Sequence, residues 1–263
     1  MNFPKIMGIL NVTPDSFSDG GRFGNENEAI DYALKLIDEG ADIIDIGGES
    51  TRPYAEFVTE EEELKRVIPI IKGIKKVNPS IKLSIDTTKY EIAKRACEIG
   101  VKIINDISGL QYEPRLAELA WEYDVELVIM HIDGIPKTMQ NAPKYDDIIK
   151  ELKNFFSKQI RLAESLGAKK LILDCGVGFG KTFEHNNELI KNLEIFNQFG
   201  YPQMLGISRK SFLTHYLPSD EMKNRDIATA LIHSLIINKD LEIIRIHDVK
   251  LFSMLKKIYF TLI

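Results

Sequence analysis

Cysteine is scarce in this chain of 263 residues, which contains only Cys97 and Cys175, far apart and outside any metal-ligand spacing. The scarcity argues against a disulfide framework and is typical of a reducing compartment. Long apolar runs are also lacking, so no segment has the length needed to cross a bilayer. The opening residues, MNFPKIMGIL, lead straight into a strand without a signal-peptide pattern. We therefore expect a cytoplasmic protein that does not interact with a membrane.

An excess of positive charge is missing as well. The chain has 34 Lys and Arg against 39 Asp and Glu, a formal net charge of −5. That balance argues against a general nucleic-acid-binding role, although it is compatible with a local basic pocket. No linker or shift in composition divides the chain. We therefore expect residues 1–263 to form a single globular domain with a sizeable core.

Apolar runs and helical patterns alternate along the whole chain. The runs predict eight strands, at residues 6–10, 43–46, 82–85, 101–104, 127–130, 170–173, 204–207 and 242–246. Helical periodicity predicts a helix after each strand, including a long one at about residues 146–166 and a continuous one at residues 187–199. This alternation predicts an α/β fold of the (β/α)8 or TIM-barrel type.

Seven of the predicted strands end in a polar side chain: Asn11, Asp86, Asn105, His131, Asp174, Ser208 and His247. In a (β/α)8 barrel the carboxyl ends of the strands meet at one face, where barrel enzymes hold their active sites. The acceptors Asp86, Asn105 and Asp174 would suit a planar heterocycle with exocyclic amines and ring N–H groups. The alternative is that each acidic side chain caps the helix or loop that follows it.

Positive side chains are expected at the same face: Arg52, Arg209, Lys210, Arg245 and His247. Arg245 and His247 are two residues apart on a strand, so their side chains point the same way. A guanidinium beside an imidazole suits a phosphate or pyrophosphate group. Alternatively, Arg245 neutralises a buried aspartate and His247 is an ordinary core histidine.

The glycine-rich stretch CGVGFGKT, residues 175–182, has the look of a nucleotide-binding loop but fails both patterns. A P-loop needs glycine where Cys175 stands, and the dinucleotide pattern needs two residues before its last glycine. A P-loop kinase is therefore excluded. What remains is a loop that presents Phe179 and Lys181 beside the expected site.

Together these segments resemble the dihydropteroate synthase family. The similar segments follow the family's order from residue 7 to about 250: GILNVTPDSFSDGG, DIIDIGGESTRP, SIDTTK, INDISGL, PKTMQNAPKYDD, the loop after Asp174, GISRKSF and IIRIHDV. The resemblance implies a (β/α)8 barrel of folate biosynthesis and a target of sulfonamides. The implied transferase condenses 6-hydroxymethyl-7,8-dihydropterin pyrophosphate with para-aminobenzoate, giving 7,8-dihydropteroate and pyrophosphate.

The resemblance also implies the role of each site residue. The catalytic groups would be Asp86, Lys210, Arg245 and His247. The pterin and its pyrophosphate would be bound by Asn11, Thr51, Asp86, Asn105, Asp174, Lys210, Arg245 and His247. Para-aminobenzoate would lie against Thr51, Arg52, Pro53, Phe179, Lys210 and Ser211. The expected cofactor is Mg²⁺, contacted by Asn11, and the expected assembly is a homodimer through the last helices.

Three positions depart from the family pattern. Tyr54 stands where glycine is usual, Cys175 replaces a usual proline, and Asp133 adds a negative charge near the mouth. None of these changes removes an expected catalytic group, although each could alter rate or affinity.

Two other functions compete with the synthase. A pterin-binding barrel that moves a methyl group from methyltetrahydrofolate to a corrinoid would share the acceptor floor. It has no use for a pyrophosphate site or for residues 208–210. A catalytically silent pterin-binding or regulatory barrel would be expected to lose Asn11, Asp86 or Arg245, and all three are present.

Overall fold

The computed structural model describes residues 3–13, 26–50, 57–134, 137–140 and 143–262. Within these ranges, eight parallel strands close into a barrel in chain order, and the last strand pairs with the first. The strands are β1 (Lys5–Asn11), β2 (Ile43–Gly47), β3 (Lys82–Asp86), β4 (Ile103–Asp106), β5 (Glu126–Met130), β6 (Leu171–Asp174), β7 (Gln203–Leu205) and β8 (Leu241–Ile246). The predicted (β/α)8 barrel is confirmed.

An α-helix follows each strand. The helices are α1 (Glu26–Asp38), α2 (Glu60–Val77), α3 (Tyr90–Glu98), α4 (Leu116–Glu122), α5 (Ile148–Ser165), α6 (Phe183–Lys191), α7 (Met222–Ile236) and α8 (Val249–Leu262). Two 3-10 helices, Leu193–Phe199 and Ser211–Tyr216, are added after α6 and β7. In the described part of the chain, no helix combines the length and apolar character required to cross a bilayer.

The prediction of one continuous helix at residues 187–199 is wrong. The α-helix begins earlier, because the Thr182 hydroxyl accepts a hydrogen bond from His185 N while His185 Nδ1 accepts one from Thr182 N. This reciprocal capping box fixes the first turn. The α-helix stops at Lys191, and a 3-10 helix continues after Asn192. A capping histidine is unusual, which is why the periodic pattern alone missed this start.

The fourth strand lies two residues later than predicted. Val101 N donates to Ala96 O at 3.1 Å, so Val101 belongs to the turn after α3. The strand therefore runs through Asn105 and Asp106. This shift places Asn105 inside the barrel wall, where it is opposite Asp86 in the β3–β4 register.

The barrel interior changes from apolar to polar along the strands. A buried layer near the strand starts consists of Met7, Ile43, Ile103, Val128, Ile172, Met204 and Ile243. Side chains two residues further along a strand point to the same face. In four of these strands the next inward residue is polar: Asp45, Asn105, Asp174 and Arg245. The apolar layer thus forms a plug, and the polar layer above it forms the floor of a cavity at the carboxyl ends.

Candidate active site

Arg245 lies between two carboxylates at the floor of the barrel mouth. Its Nε donates to Asp45 Oδ2 at 2.6 Å and its Nη2 donates to Asp86 Oδ2 at 2.7 Å. The Asp45 side chain is fully buried and that of Asp86 is 7% exposed. Arg245 therefore neutralises buried aspartates, as the alternative interpretation of the sequence had it. A guanidinium has five N–H donors, so three remain for a ligand.

Asn105 presents an unused acceptor to the same floor. Its Nδ2 donates to Asp45 Oδ2 at 3.1 Å. Its Oδ1 is buried and has no hydrogen-bond partner among the described residues. Buried polar atoms are nearly always paired, so an orphaned acceptor beside a cavity points to a ligand that donates to it.

Asp106 and Asp174, the last residues of β4 and β6, have different roles. Asp174 Oδ1 accepts from Gly176 N at 2.7 Å, so one oxygen holds its own loop. Both oxygens of Asp106 are used locally, by Ser108 and by Leu110 N. The capping alternative is therefore partly correct for Asp174, whose second oxygen remains for the cavity. Asp106, for which the sequence predicts no site role, is used wholly by the residues that follow it. Gly206 leaves space there, since a Cβ on it would lie 3.9 Å from Asp174 Oδ2.

Lys210 enters the site from the loop after β7. Its Nζ donates to Val177 O and lies 4.2 Å from the centre of the Phe179 ring. The stem packs on the backbone of Gly178, where a Cβ would be 2.6 Å from Lys210 Cδ. The glycine at that position thus lets the lysine cross the loop and brings it beside Phe179, as predicted.

Burial shifts the pKa values of the two central groups in opposite directions. Burial raises the pKa of Asp86 to about 7, with Asp45, Glu63 and Asp106 adding to the effect and Arg245 opposing it. Burial also lowers the pKa of Lys210 to about 8, and Arg245 adds to that effect while Asp174 opposes it. Both groups therefore titrate near neutral pH.

His247 is held in place by Ser208 at the end of β8. The Ser208 hydroxyl accepts from His247 N at 3.1 Å and lies 3.0 Å from His247 Nδ1. These contacts fix the imidazole directly after β8, two residues beyond Arg245. Ser211, which is exposed, follows Lys210 as the first residue of the 3-10 helix Ser211–Tyr216.

Two residues expected in the site lie elsewhere. Arg209 forms a two-bond ion pair with Asp226 of α7, at 2.7 and 2.8 Å, and so fastens the loop to the outer helices. His131 packs its ring edge against Phe155 of α5, and its Nδ1 accepts from Lys181 Nζ at 3.0 Å. The predictions for Arg209 and His131 are wrong, because each is used by a neighbouring element instead of the cavity.

The remaining predicted residues are only partly described. Thr51, Arg52 and Pro53, together with the departure at Tyr54, lie outside the described residues. Asn11 ends β1, and its Oδ1 and the Asp86 Cβ flank Gly47, where an added Cβ would meet them at 3.8 and 3.5 Å. Among the described residues, no cluster of three or more His, Cys, Asp or Glu side chains could hold a metal ion.

The two described departures leave the site intact. Cys175 is free and buried, and the turn after Asp174 is closed by Gly176 N without a proline. Burial raises the pKa of the Cys175 thiol to about 12, so it is not a nucleophile near neutral pH. Asp133 is exposed and its backbone lies against Gly180.

Three groups of candidate functional residues were not predicted from the sequence. Asp45 is the first, and its signal was a carboxylate inside an otherwise apolar strand. The second is an apolar cluster at the mouth formed by Ile107, Met130, Ile132, Met139 and Phe179. The third is Lys89, whose Nζ donates to Glu49 at 2.6 Å, Val58 O at 2.7 Å and Glu63 at 2.5 Å. Nothing local in the sequence marks the last two.

Comparisons with known proteins agree on one family. A family model described as pterin binding enzyme matches residues 7–247. A dihydropteroate synthase from Synechocystis sp. is 43% identical over 96% of this chain and 88% of its own length. The Yersinia pestis dihydropteroate synthase, solved with a sulfonamide drug, is 38% identical with a TM-score of 0.90, covering 98% of this chain and 95% of that one.

A further solved structure holds the reaction product. It is the dihydropteroate synthase from Xanthomonas albilineans in complex with 7,8-dihydropteroate, 34% identical to this chain. Its TM-score is 0.87, with 98% of this chain and 93% of that chain covered. The three proteins are thus similar to this chain over nearly its whole length.

Proposed function

The chain belongs to the family of pterin binding enzymes and, within it, to the dihydropteroate synthases, and we propose that the groups at its barrel mouth bind both substrates. The reaction joins 6-hydroxymethyl-7,8-dihydropterin pyrophosphate to para-aminobenzoate and releases pyrophosphate. Methyl transfer to a corrinoid, the competing enzyme activity, is not the activity of the relatives described above.

The buried acceptor floor is the observation that carries this proposal. Asp86, Asp174 and the orphaned Oδ1 of Asn105 offer acceptors to a ligand with several N–H donors. A pterin has such donors on its ring and its amino group. The apolar cluster around Met139 and Phe179 would cover the flat surface of the ring. Such a pairing satisfies buried polar groups that an apolar ligand would leave unpaired.

The same groups can stabilise the charges that develop during the reaction. The bond between the methylene carbon and the pyrophosphate oxygen breaks, and pyrophosphate leaves with the bonding electrons. Positive charge spreads into the pterin, where the Asp86 carboxylate offsets it. Two groups are proposed to stabilise the departing negative charge. They are the Arg245 N–H groups that Asp45 and Asp86 leave unused, and the His247 imidazole. The aniline nitrogen then bonds to the methylene and loses its proton.

Para-aminobenzoate is proposed to lie beside Phe179, Lys210 and Ser211. The Lys210 ammonium suits the carboxylate of this substrate, and the Phe179 ring suits its aromatic body. The family resemblance adds Thr51, Arg52 and Pro53 to this proposal. The Yersinia pestis relative was solved with a sulfonamide drug. We therefore expect sulfonamides to compete with para-aminobenzoate here.

The function is tested by product formation. Purified protein given the pterin pyrophosphate, para-aminobenzoate and Mg²⁺ should release pyrophosphate and form dihydropteroate, identified by mass. Asp86→Asn and Arg245→Ala should each lower kcat/KM by at least about 100-fold, as for a lost charged contact in a transition state. An active wild type whose two variants keep full activity would contradict the assignment of the site.

We propose Mg²⁺ as the cofactor, with Asn11 as its protein contact. Asn11 offers a single amide oxygen at the mouth, which fits an ion that keeps waters and takes most ligands from substrate phosphates. When bound, Mg²⁺ supplies a Lewis acid that polarises the pyrophosphate oxygens. The test is calorimetry of pyrophosphate binding with and without Mg²⁺. Asn11→Ala should abolish the difference between the two titrations, and an unchanged difference would contradict the assignment.

We also propose that the enzyme is a homodimer through its last two helices. Helix α7 exposes Ile227, Leu231 and Leu235, and helix α8 exposes Met254, Ile258 and Leu262. Within each helix these residues are four apart, so each helix carries one apolar stripe. Exposed apolar stripes of this kind mark protein interfaces.

A cytoplasmic setting is proposed as well. Cys97 and Cys175 are both free and buried, which suits a reducing compartment. Fractionation of the native cells should place the synthase activity with cytosolic marker enzymes. Activity recovered with membrane or secreted markers would contradict this setting.

A further inference from the structure

We propose that Asp45 is a positioning residue that orients Asn105 and Arg245 together, so that an acceptor on β4 faces the pterin. The inference rests on the proposed function of this site. Asp45 is fully buried within the floor, and its hydrogen bonds come from Arg245 and Asn105. The proposed positioning is therefore exerted through these two residues.

One oxygen of Asp45 joins two strands. Asp45 Oδ2 accepts from Arg245 Nε at 2.6 Å and from Asn105 Nδ2 at 3.1 Å, so β2 holds side chains of β8 and β4. An ionised carboxylate can only accept hydrogen bonds. Whichever amide group of Asn105 faces Asp45 must therefore be its NH₂ group.

The orientation of Asn105 follows from that contact. With Nδ2 held by Asp45, Oδ1 turns to the opposite side of the amide, where it is buried and without a partner among the described residues. An amide can present either a donor or an acceptor with almost the same shape. Asp45 therefore decides which of the two meets a ligand, and it selects the acceptor.

The plane of Arg245 is set by the same carboxylate. Nε bonds to Asp45 on β2 and Nη2 bonds to Asp86 on β3, so the planar guanidinium is held at two points. Two fixed points leave a rigid fork little freedom to rotate. The three N–H groups that remain keep constant directions, which is needed for a group that meets both a ring and a pyrophosphate.

Ser84 provides a matched control in the same layer. It is opposite Asp45 in the β2–β3 register and is fully buried. Its hydroxyl has no hydrogen-bond partner among the described residues, so it bonds to neither Asn105 nor Arg245. Ser84→Ala therefore alters the same depth of the barrel without altering the proposed positioning.

The test measures binding of 6-hydroxymethylpterin by calorimetry, with thermal unfolding recorded for each protein. Asp45→Ala removes the acceptor that holds Asn105 Nδ2, so Asn105 can turn its donor to the ligand. We expect about tenfold weaker pterin binding, the factor for one hydrogen bond lost. Ser84→Ala should bind within about twofold of wild type.

A double variant separates positioning from packing. In Asp45→Ala with Asn105→Asp, either oxygen of the new carboxylate is an acceptor, so an acceptor faces the pterin whichever way the side chain turns. We expect this double variant to recover most of the affinity lost in Asp45→Ala. Recovery is not expected if Asp45 serves only to fill space.

Each outcome decides the question. Wild-type protein that fails to bind the pterin would overturn the proposed function, and this inference with it. A wild type that binds, with Asp45→Ala equally tight, or with Ser84→Ala equally weakened, would overturn the positioning role alone. Asp45→Ala weakened without recovery in the double variant would also overturn it. If neither Asp45 variant folds, Asp45 is a structural residue and the inference fails.

Discussion

Asp86 and Lys210 define a narrow range of pH in which both carry their charges. Asp86 is ionised above its pKa of about 7, and Lys210 is protonated below its pKa of about 8. A protonated Asp86 would lose its ion pair with Arg245 and accept poorly from the pterin. We expect kcat/KM for the pterin substrate to fall on the acid side of about pH 7 and on the alkaline side of about pH 8.

Two variants assign the limbs of this profile. Asp86→Asn should remove the acid limb from the activity that remains. Lys210→Arg should remove the alkaline limb, because a guanidinium stays charged across this range. A profile that keeps both limbs in both variants would mean that other groups, including the substrate, titrate there.

A strand pattern predicts the direction of a side chain but not the partners that the side chain finds elsewhere in the fold. The spacing of Arg245 and His247 predicts that both side chains lie on one face, because side chains alternate between the two faces of a strand. Arg209 was misplaced because its positive φ of 58° and its ion pair with Asp226 on α7 depend on a helix remote in sequence. Asp45 was missed because its partners, Arg245 and Asn105, come from distant strands.

At the scale of elements, the loop after β6 depends on Gly176. Its φ is +64°, and an added Cβ would collide with the carbonyl oxygen of His131. Gly176 N also donates to Asp174 Oδ1 at 2.7 Å, so a shift of this residue moves the carboxylate. We expect Gly176→Ala to lower the free energy of unfolding by roughly 2–4 kcal/mol and to weaken pterin binding, measured by denaturation and calorimetry.

Gly200 supplies the control for this substitution. Its φ is +74°, but an added Cβ would meet no atom within 4 Å. Gly200→Ala therefore carries only the backbone strain, about 1 kcal/mol, and should leave pterin binding unchanged. If both variants lose the same stability and the same affinity, the close approach to His131 is not what matters.

The same loop is fastened by a buried lysine. Lys181 Nζ donates to Phe179 O at 2.9 Å and to His131 O at 3.3 Å, in addition to the His131 ring. These contacts fix the backbone that carries Phe179. We expect Lys181→Met to raise the KM for para-aminobenzoate roughly tenfold, the factor for one lost hydrogen bond to a charged group. Pterin affinity should change much less.

An exposed lysine outside this loop checks the specificity of that effect. Lys169 lies on the surface before β6, so Lys169→Met should leave the KM for para-aminobenzoate unchanged. Equal losses of pterin and para-aminobenzoate affinity in Lys181→Met would show that the whole site, and not the Phe179 side, depends on the lysine.

Strand and helix order was predictable because burial on both faces makes each strand an apolar run. The start of α6 was not, since Thr182 and His185 form a capping box that periodicity does not register. The hydrogen bonds of Lys89 were not predicted for a related reason. Glu49, Val58 and Glu63 are spread over three separate stretches, and only the fold brings them to one ammonium group.

At the scale of the whole molecule, the barrel separates stability from chemistry. The apolar plug of the barrel interior and the layer between strands and helices hold most of the buried apolar side chains. The polar floor lies two residues further along the strands. Because the plug supports the floor from below, carboxylates and cations can be held there in positions that would be costly in an isolated element.

The outer surface of the molecule yields the last prediction, which concerns assembly. Leu231 is 61% exposed and Leu235 is 84% exposed on α7, within the stripe proposed to join two copies. We expect the wild-type protein to sediment with twice the 30.0 kDa mass of one chain. Leu231→Glu should shift it to the mass of a single chain, because charges buried without partners oppose association. Val77→Glu, an exposed apolar position at the end of α2, should leave the dimer intact. A wild type that sediments as one chain, or a Leu231→Glu dimer of unchanged stability, would contradict this interface.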